Sequence, residues 1–397
     1  MRKYRNRKQT THTSQMILDL ITHQVQPTGK NLCLFHNQPV NELIQYLSIS
    51  IDDNDITDEE LSKIMEQVIH KSVYTNHKFF MNQMFGKQQA IAIVGEVLAV
   101  LLNTSMYTYE VSPALTLIEK QCIKQLINKV WHTEEGDGVF TPGSSLANMM
   151  AMTLARNERF PKAITQGLFD LPRFSLFASD QVHYSFVKGV MFDGFGKDAL
   201  VKVKSDQKGR IMLSYLQDAI DTEMQKGRIP LMVIGIAGTT VAGVYDDLEA
   251  IADIARQYNL WFHVDGAYGA SLLFSKTEKS KLNGIELADS VSWSLHKMMG
   301  VPLSCAVLLT RANDILARNF SVDADYLFHG NEYDLGQKSL QCGRRADALK
   351  LWLAWKFEGD QGFEQRVNQL MKLAMRFARM IRASQQLQLL TLPESPI

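Results

Sequence analysis

Between Gly138 and Gly300 the chain alternates short apolar runs with helix-patterned segments, and residues able to do chemistry gather where the apolar runs stop. Phe174-Ser-Leu-Phe-Ala178, Ile229-Pro-Leu-Met-Val-Ile-Gly-Ile-Ala237 and Leu260-Trp-Phe-His-Val264 have the length and composition of buried strands, and residues 248–258 form an amphipathic helix. Two parallel strands can be joined only by a crossover, usually a helix, so this order predicts an α/β fold. The expected core is a mostly parallel central sheet with helices on both faces, which is why its strands read as continuous apolar runs. Open sheets of this kind bind ligands beyond the carboxyl ends of their strands. Gly238-Thr239-Thr240 closes the second run, and Asp265 closes the third, ahead of Gly266-Ala267-Tyr268-Gly269. The first run leads into Ser179-Asp-Gln-Val-His183.

A fourth strand-like run, Asp289-Ser-Val-Ser-Trp-Ser294, leads through Leu295 and His296 to Lys297, which Met298, Met299 and Gly300 follow. A lysine in such surroundings has little water around it, and desolvation lowers its pKa toward a nucleophilic amine able to hold an aldehyde as a Schiff base. Upstream, Gly143-Ser144-Ser145 runs into an Ala/Met/Leu helix over residues 146–155. Unpaired N–H groups and the helix dipole favour an anion there, although glycine and serine are also ordinary helix caps. Pyridoxal phosphate requires a lysine for its aldehyde, an anion cradle for its phosphate, a carboxylate at its pyridine nitrogen and a flat group over its ring. Lys297, Gly143 with Ser144 and Ser145, Asp265 and His183 supply these in turn, and Thr239, Thr240 and His296 are placed to reach the phosphate or the ring hydroxyl. Each has a structural use of its own, and it is their joint occurrence that points to the cofactor.

Composition narrows the partners. Forty-two basic residues balance forty-two acidic ones, so no overall field favours nucleic acid or an anionic membrane. The basic cluster from Met1 to Lys8 reads as a solvated tail, and no apolar run reaches spanning length. Cys33, Cys122, Cys305 and Cys342 form no Cys-x-x-Cys pair and fit reduced thiols in a cytoplasm, with no metal site expected. Among the helical segments ahead of residue 138, Asn76-His-Lys-Phe-Phe-Met-Asn-Gln-Met-Phe-Gly86 sets Asn82 and Gln83 between aromatic rings, where the amides could bind a ligand carboxylate or simply pack a loop.

The chain resembles the group II pyridoxal phosphate-dependent amino-acid decarboxylases, of the fold-type I (aspartate aminotransferase-like) enzymes, and most of all their glutamate and cysteine sulfinate branch. The resemblance rests on Met106-Tyr-Thr-Tyr-Glu-Val-Ser-Pro113, Gly138-Val-Phe-Thr-Pro-Gly143, His183-Tyr-Ser, Gly238-Thr-Thr, Phe262-His-Val-Asp-Gly-Ala-Tyr-Gly269, Ala288-Asp-Ser-Val291, His296-Lys-Met-Met-Gly300 and Gln341-Cys-Gly-Arg-Arg-Ala-Asp347, in family order. It implies Lys297 as the Schiff-base lysine, Asp265 as the pyridinium partner, His183 as the stacking histidine, and Ser144 and Ser145 at the phosphate. Ala267 and Ser294 complete the implied cofactor contacts. Tyr326, in Asp325-Tyr-Leu-Phe328, matches a mobile-loop tyrosine that protonates the substrate carbon after carbon dioxide leaves. Gln83 falls where acidic-substrate members line the side-chain pocket, Asn82 beside it offers a second amide to the substrate's acidic group, and at Phe85 the chain resembles the cysteine sulfinate decarboxylases more than the glutamate decarboxylases.

The implied organisation is an N-terminal helical segment over 1–100 contributing to a dimer and the substrate pocket, a large cofactor domain over 101–351, and the beginning of a small domain over 352–397. The expected enzyme is a cytoplasmic homodimer that removes the α-carboxylate of an acidic amino acid. An aromatic amino-acid decarboxylase is the rival, which Gln83 opposes, and a weakly active cofactor-binding fragment is another. Departures from the family are Ser294-Leu295 for its Asn-Pro, Gly266 and Tyr268 for its Ala and Trp, and a shorter stretch after Tyr326. The sequence stops at Ile397 as the small domain begins, with no counterpart to the family's arginine for the α-carboxylate. The resemblance therefore implies a chain that binds the cofactor, decarboxylates poorly and aggregates through the helical face of residues 363–380.

Overall fold

The structure is a computed structural model that describes residues 38–51, 53–85, 87–329 and 331–397, so the basic cluster at the start and Cys33 lie outside the described residues. The chain divides into two compact units, residues 1–90 and 91–397. In the first, helix α1 spans Val40–Leu47 and α2 spans Asp58–Lys71. Helix α2 begins where it does because Thr57 and Glu60 cap each other. The Thr57 hydroxyl accepts the Glu60 N–H at 3.2 Å, and the Glu60 carboxylate accepts the Thr57 N–H at 2.8 Å. Asp58 and Glu59 in the first turn and Lys71 in the last complement the helix dipole.

The second unit opens with α3, Ala90–Leu102, and α4, Pro113–Trp131. It then builds a seven-stranded sheet from β1 (Asp137–Thr141), β2 (Phe174–Ser179), β3 (Leu200–Val203), β4 (Ile229–Ile236), β5 (Trp261–Asp265), β6 (Ser290–Ser294) and β7 (Ala306–Thr310). Its order is β1-β7-β6-β5-β4-β2-β3. Strands β6, β5, β4, β2 and β3 pair in parallel, and β7 alone runs against its neighbours β1 and β6. This is the mostly parallel sheet expected from the strand–helix alternation.

Both faces are covered. Met232, Ile234 and Ile236 of β4 join Leu176 and Ala178 of β2 in a core with Ala147, Met150, Ala151 and Leu154 of helix α5, Ser144–Arg159, and Phe186 and Val190 of α6, Tyr184–Phe192. On the opposite face Gly235 admits helix α7, Leu248–Tyr258: a Cβ there would lie 2.8 Å from Leu248 and 3.1 Å from the Phe262 ring. Successive side chains of β4 thus serve opposite layers, which explains its unbroken apolar run. Behind β6, Trp293 donates its indole N–H to Ser271 at 3.0 Å and packs on Phe274, which also meets Trp355 and Phe363.

The last helix, α8, spans Asp347–Ala383 and turns sharply at Gly359, whose φ of 65° only glycine adopts readily. Of the helical face singled out in the sequence, Phe363 and Val367 are fully buried, while Phe377 and Met380 are more than half exposed. No helix among the described residues is long and apolar enough to cross a membrane.

Candidate active site

At the carboxyl ends of β4, β5 and β6 lies a cleft of about 180 Å³, and each segment that reaches it does so from a strand end or a helix start. Gly143, Ser144, Ser145 and Asn148 come from the start of α5, and Gln181 and His183 from the entry to α6. Gly238 and Thr240 follow β4, Asp265, Ala267 and Tyr268 end or follow β5, and Ser294, His296 and Lys297 end or follow β6. The β5 turn sits tightly against β4: at Gly269 a Cβ would stand 2.4 Å from the Ala237 carbonyl oxygen, so only glycine permits this approach.

Lys297 is partly buried, and burial lowers its pKa against the opposing pull of the Asp265 carboxylate. Asp265 is itself buried. It accepts the Ala267 N–H at 3.1 Å on Oδ1 and the Asn148 amide at 3.4 Å on Oδ2. The hydroxyls of Ser144 and Ser294 lie 2.6 Å apart, joining the start of α5 to the end of β6. In front of Gly143 the space is open, since a Cβ there would meet no atom within 4 Å. Hydroxyls, an open helix start and the N–H groups of its first turn form a fitting anion cradle.

His183 caps α6, and its Nδ1 lies 3.2 Å from the Ser185 N–H and 2.9 Å from the Ser185 hydroxyl. Burial lowers its pKa against the opposing attraction of Asp265, with a smaller push in the same direction from Lys297. His296 is pushed down to about 4, chiefly by burial. Its Nδ1 sits against the Cys305 backbone, 2.8 Å from O and 3.0 Å from N, which leaves only Nε2 for a ligand.

Two residues of the second unit singled out in the sequence do not line the cleft. Thr239 does not line the cleft, because its hydroxyl is turned inward to accept the Val244 N–H at 3.2 Å. Tyr326 stands on an exposed turn outside the lining, at 83% exposure. Asn82, Gln83 and Phe85 belong to the first unit, where the Gln83 amide donates to Asn82 at 3.4 Å and Phe85 packs on Phe80. Asn148 and Gln181 were not anticipated. Asn148 carried no signal beyond being a polar residue inside an otherwise apolar helix segment.

His263, on β5 beneath the cleft, is fully buried and pushed down to about 4 by desolvation. A histidine neutral in the fold but able to take a proton when unfolded makes stability fall as pH drops from about 6.5 toward 4. Asp246, pushed up to about 6, and Asp193, up to about 7, have the opposite sign, because the folded state holds their protons more tightly. The histidine's share is therefore isolated in a difference. The stability lost in His263→Phe should be about 2–3 kcal/mol greater at pH 7 than at pH 4.5. Equal losses in urea unfolding at both pH values would refute the assignment of a neutral, desolvated His263.

A partly desolvated lysine, a buried carboxylate, a flat imidazole and an anion cradle at the strand ends of a largely parallel sheet define a pyridoxal phosphate enzyme of fold type I. The chain belongs to the pyridoxal-dependent decarboxylase family, whose conserved domain matches residues 41–397. It is an enzyme, a carboxy-lyase that uses pyridoxal phosphate. It is 41% identical over 360 residues to the cysteine sulfinic acid decarboxylase of Mus musculus, covering 89% of this chain and 73% of that protein. It is 37% identical over 387 residues to the acidic amino acid decarboxylase GADL1 of Mus musculus, covering 96% and 70%. The crystal structure of mouse CSAD superposes with a TM-score of 0.95 at 37% identity, over 98% of this chain and 82% of that one.

Proposed function

We propose that this enzyme releases carbon dioxide from the α-carboxylate of an acidic L-amino acid, with cysteine sulfinate, aspartate and glutamate as the candidate substrates. The observation that carries the substrate class is the 41% identity to a cysteine sulfinic acid decarboxylase across 89% of the chain. Bound pyridoxal phosphate supplies an aldehyde and an aromatic ring that accepts the electrons of the breaking Cα–carboxylate bond. Lys297, its amine partly desolvated, would hold the aldehyde. Ser144, Ser145 and the first N–H groups of α5 hold the phosphate. Asp265 would face the pyridine nitrogen and favour its protonated form, and His183 would offer its flat ring to the cofactor. The proton returned to the substrate carbon is assigned to Tyr326, whose exposed turn must carry the phenol to the cleft.

The test is a ranking. Carbon dioxide release from cysteine sulfinate, aspartate or glutamate should exceed release from dopa or tyrosine by at least about tenfold in kcat/KM, and the reverse order would overturn the substrate class. A homodimer belongs to the same reading and is supported by the apolar face that α3 exposes through Val94, Val100 and Leu101. Sedimentation at a monomer's mass would contradict it. A cytoplasmic location is supported by the free thiols of Cys122, Cys305 and Cys342, and a tagged copy found in an oxidising compartment would remove it.

A further inference from the structure

A line of hydrogen-bonded side chains runs through the sheet to Asp265, and its donors are fixed by elimination. A carboxylate only accepts, so the Asn148 atom 3.4 Å from Asp265 Oδ2 is the amide nitrogen Nδ2. The same nitrogen gives its second hydrogen to Ser185 Oγ at 3.2 Å. Asn148 Oδ1 must then accept, and its partner at 3.1 Å is Nε2 of His263, which therefore carries that ring's hydrogen. With Nδ1 of His263 bare, the Ser290 hydroxyl donates to it at 2.8 Å, while the Ser290 oxygen receives the Trp261 indole N–H at 2.8 Å. Every hydrogen along the line points toward Asp265. A branch at Ser185 completes the arrangement, since its hydroxyl, having accepted from Asn148, donates to His183 Nδ1 at 2.9 Å. His263 and Ser290 are fully buried, so no solvent could replace either of them without opening the core.

We propose that Asn148 and His263 are positioning residues for the decarboxylation: His263 orients the Asn148 amide, and that amide fixes the Asp265 carboxylate and the His183 ring together. The proposal rests on Asp265 and His183 serving the cofactor as described above, and it deepens that reading. Asn148 is the only junction in the line, since it alone donates to both arms. Neither residue contacts the reacting atoms, and their effect is exerted through the orientation of a charged group. That is why a buried amide and a neutral imidazole suffice.

The experiment uses the holoenzyme loaded with pyridoxal phosphate labelled with 15N at the pyridine nitrogen. In His263→Phe, kcat should fall about tenfold with KM little changed, the size of leaving the buried Asn148 carbonyl oxygen without its donor. The 15N resonance should move toward the unprotonated position, and the dissociation constant for pyridoxal phosphate should rise about tenfold. Ser290→Ala, at the far end of the line, should shift each reading in the same direction by less, and it decides the matter if His263→Phe does not fold. In an Asp265→Asn background, His263→Phe should weaken cofactor binding no further, whereas a merely structural histidine would add its full effect. An unchanged 15N resonance in both variants, or full additivity in the double variant, overturns the relay. If Asp265→Asn alone leaves the resonance and turnover as in the unaltered enzyme, the reading of Asp265 falls first and takes the relay with it.

Discussion

Lys297→Ala should leave a folded chain to which borohydride no longer fixes a pyridoxyl group, and turnover should drop by about three decades or more, ~4 kcal/mol of barrier. The amine lies in the cleft with its charged form disfavoured by burial, which favours the free amine that can hold an aldehyde. Alanine removes that amine without adding bulk. Peptide mapping of the reduced, unaltered enzyme should recover the label on Lys297, and a label on any other lysine would sink the assignment.

Asp265→Asn keeps the shape of the side chain while removing its charge, and should cost about two to three decades in kcat, ~3–4 kcal/mol. Two effects combine. The amide cannot hold a protonated pyridine nitrogen as an ion pair. Its Nδ2 hydrogens would also meet donors, from either the Asn148 amide or the Ala267 N–H, where the carboxylate accepted from both. Steady-state kinetics with the best acidic substrate provide the measurement. Turnover within a few-fold of the unaltered enzyme would make Asp265 a cap on the end of β5 and nothing more.

How much of this could be read from the sequence depended on the layer in which each segment lies. Strands β2, β4 and β5 stood out because both of their faces are covered, which leaves an apolar run with abrupt ends. Strand β3 was missed: it is four residues long, lies at the sheet edge and carries the exposed Lys202, so neither length nor composition marked it. Strand β7 follows the lysine turn without a helical crossover, and its antiparallel course broke the rhythm that revealed the others.

The same logic holds for the site. Lys297, Asp265, Ser144 and His183 sit where strands end or helices begin, positions a sequence pattern can locate. Asn148 meets His263 and Asp265 only across more than a hundred residues of chain, so nothing near it in sequence announces its partners. Thr239 and Thr240 are neighbours with the same side chain, yet only Thr240 lines the cleft. The turn that directs the Thr239 hydroxyl to Val244 could not be read from the pair itself.

The pairing of β1 with β7 governs when the cleft can exist at all. Residues 137–141 have no other partner in the sheet, and their hydrogen-bonding neighbour is residues 306–310. On a ribosome, β1 and the adjoining start of α5 must wait for the lysine turn and β7 to be synthesised before they can dock. Closing so long a loop adds only slowly to the entropy cost but delays the encounter, a feature of slow-folding, high-contact-order topologies. Half of the anion cradle therefore arrives early in synthesis and is completed late. A nascent chain leaves the backbone of β1 unpaired throughout that interval, which makes this strand the natural place for a chaperone to act.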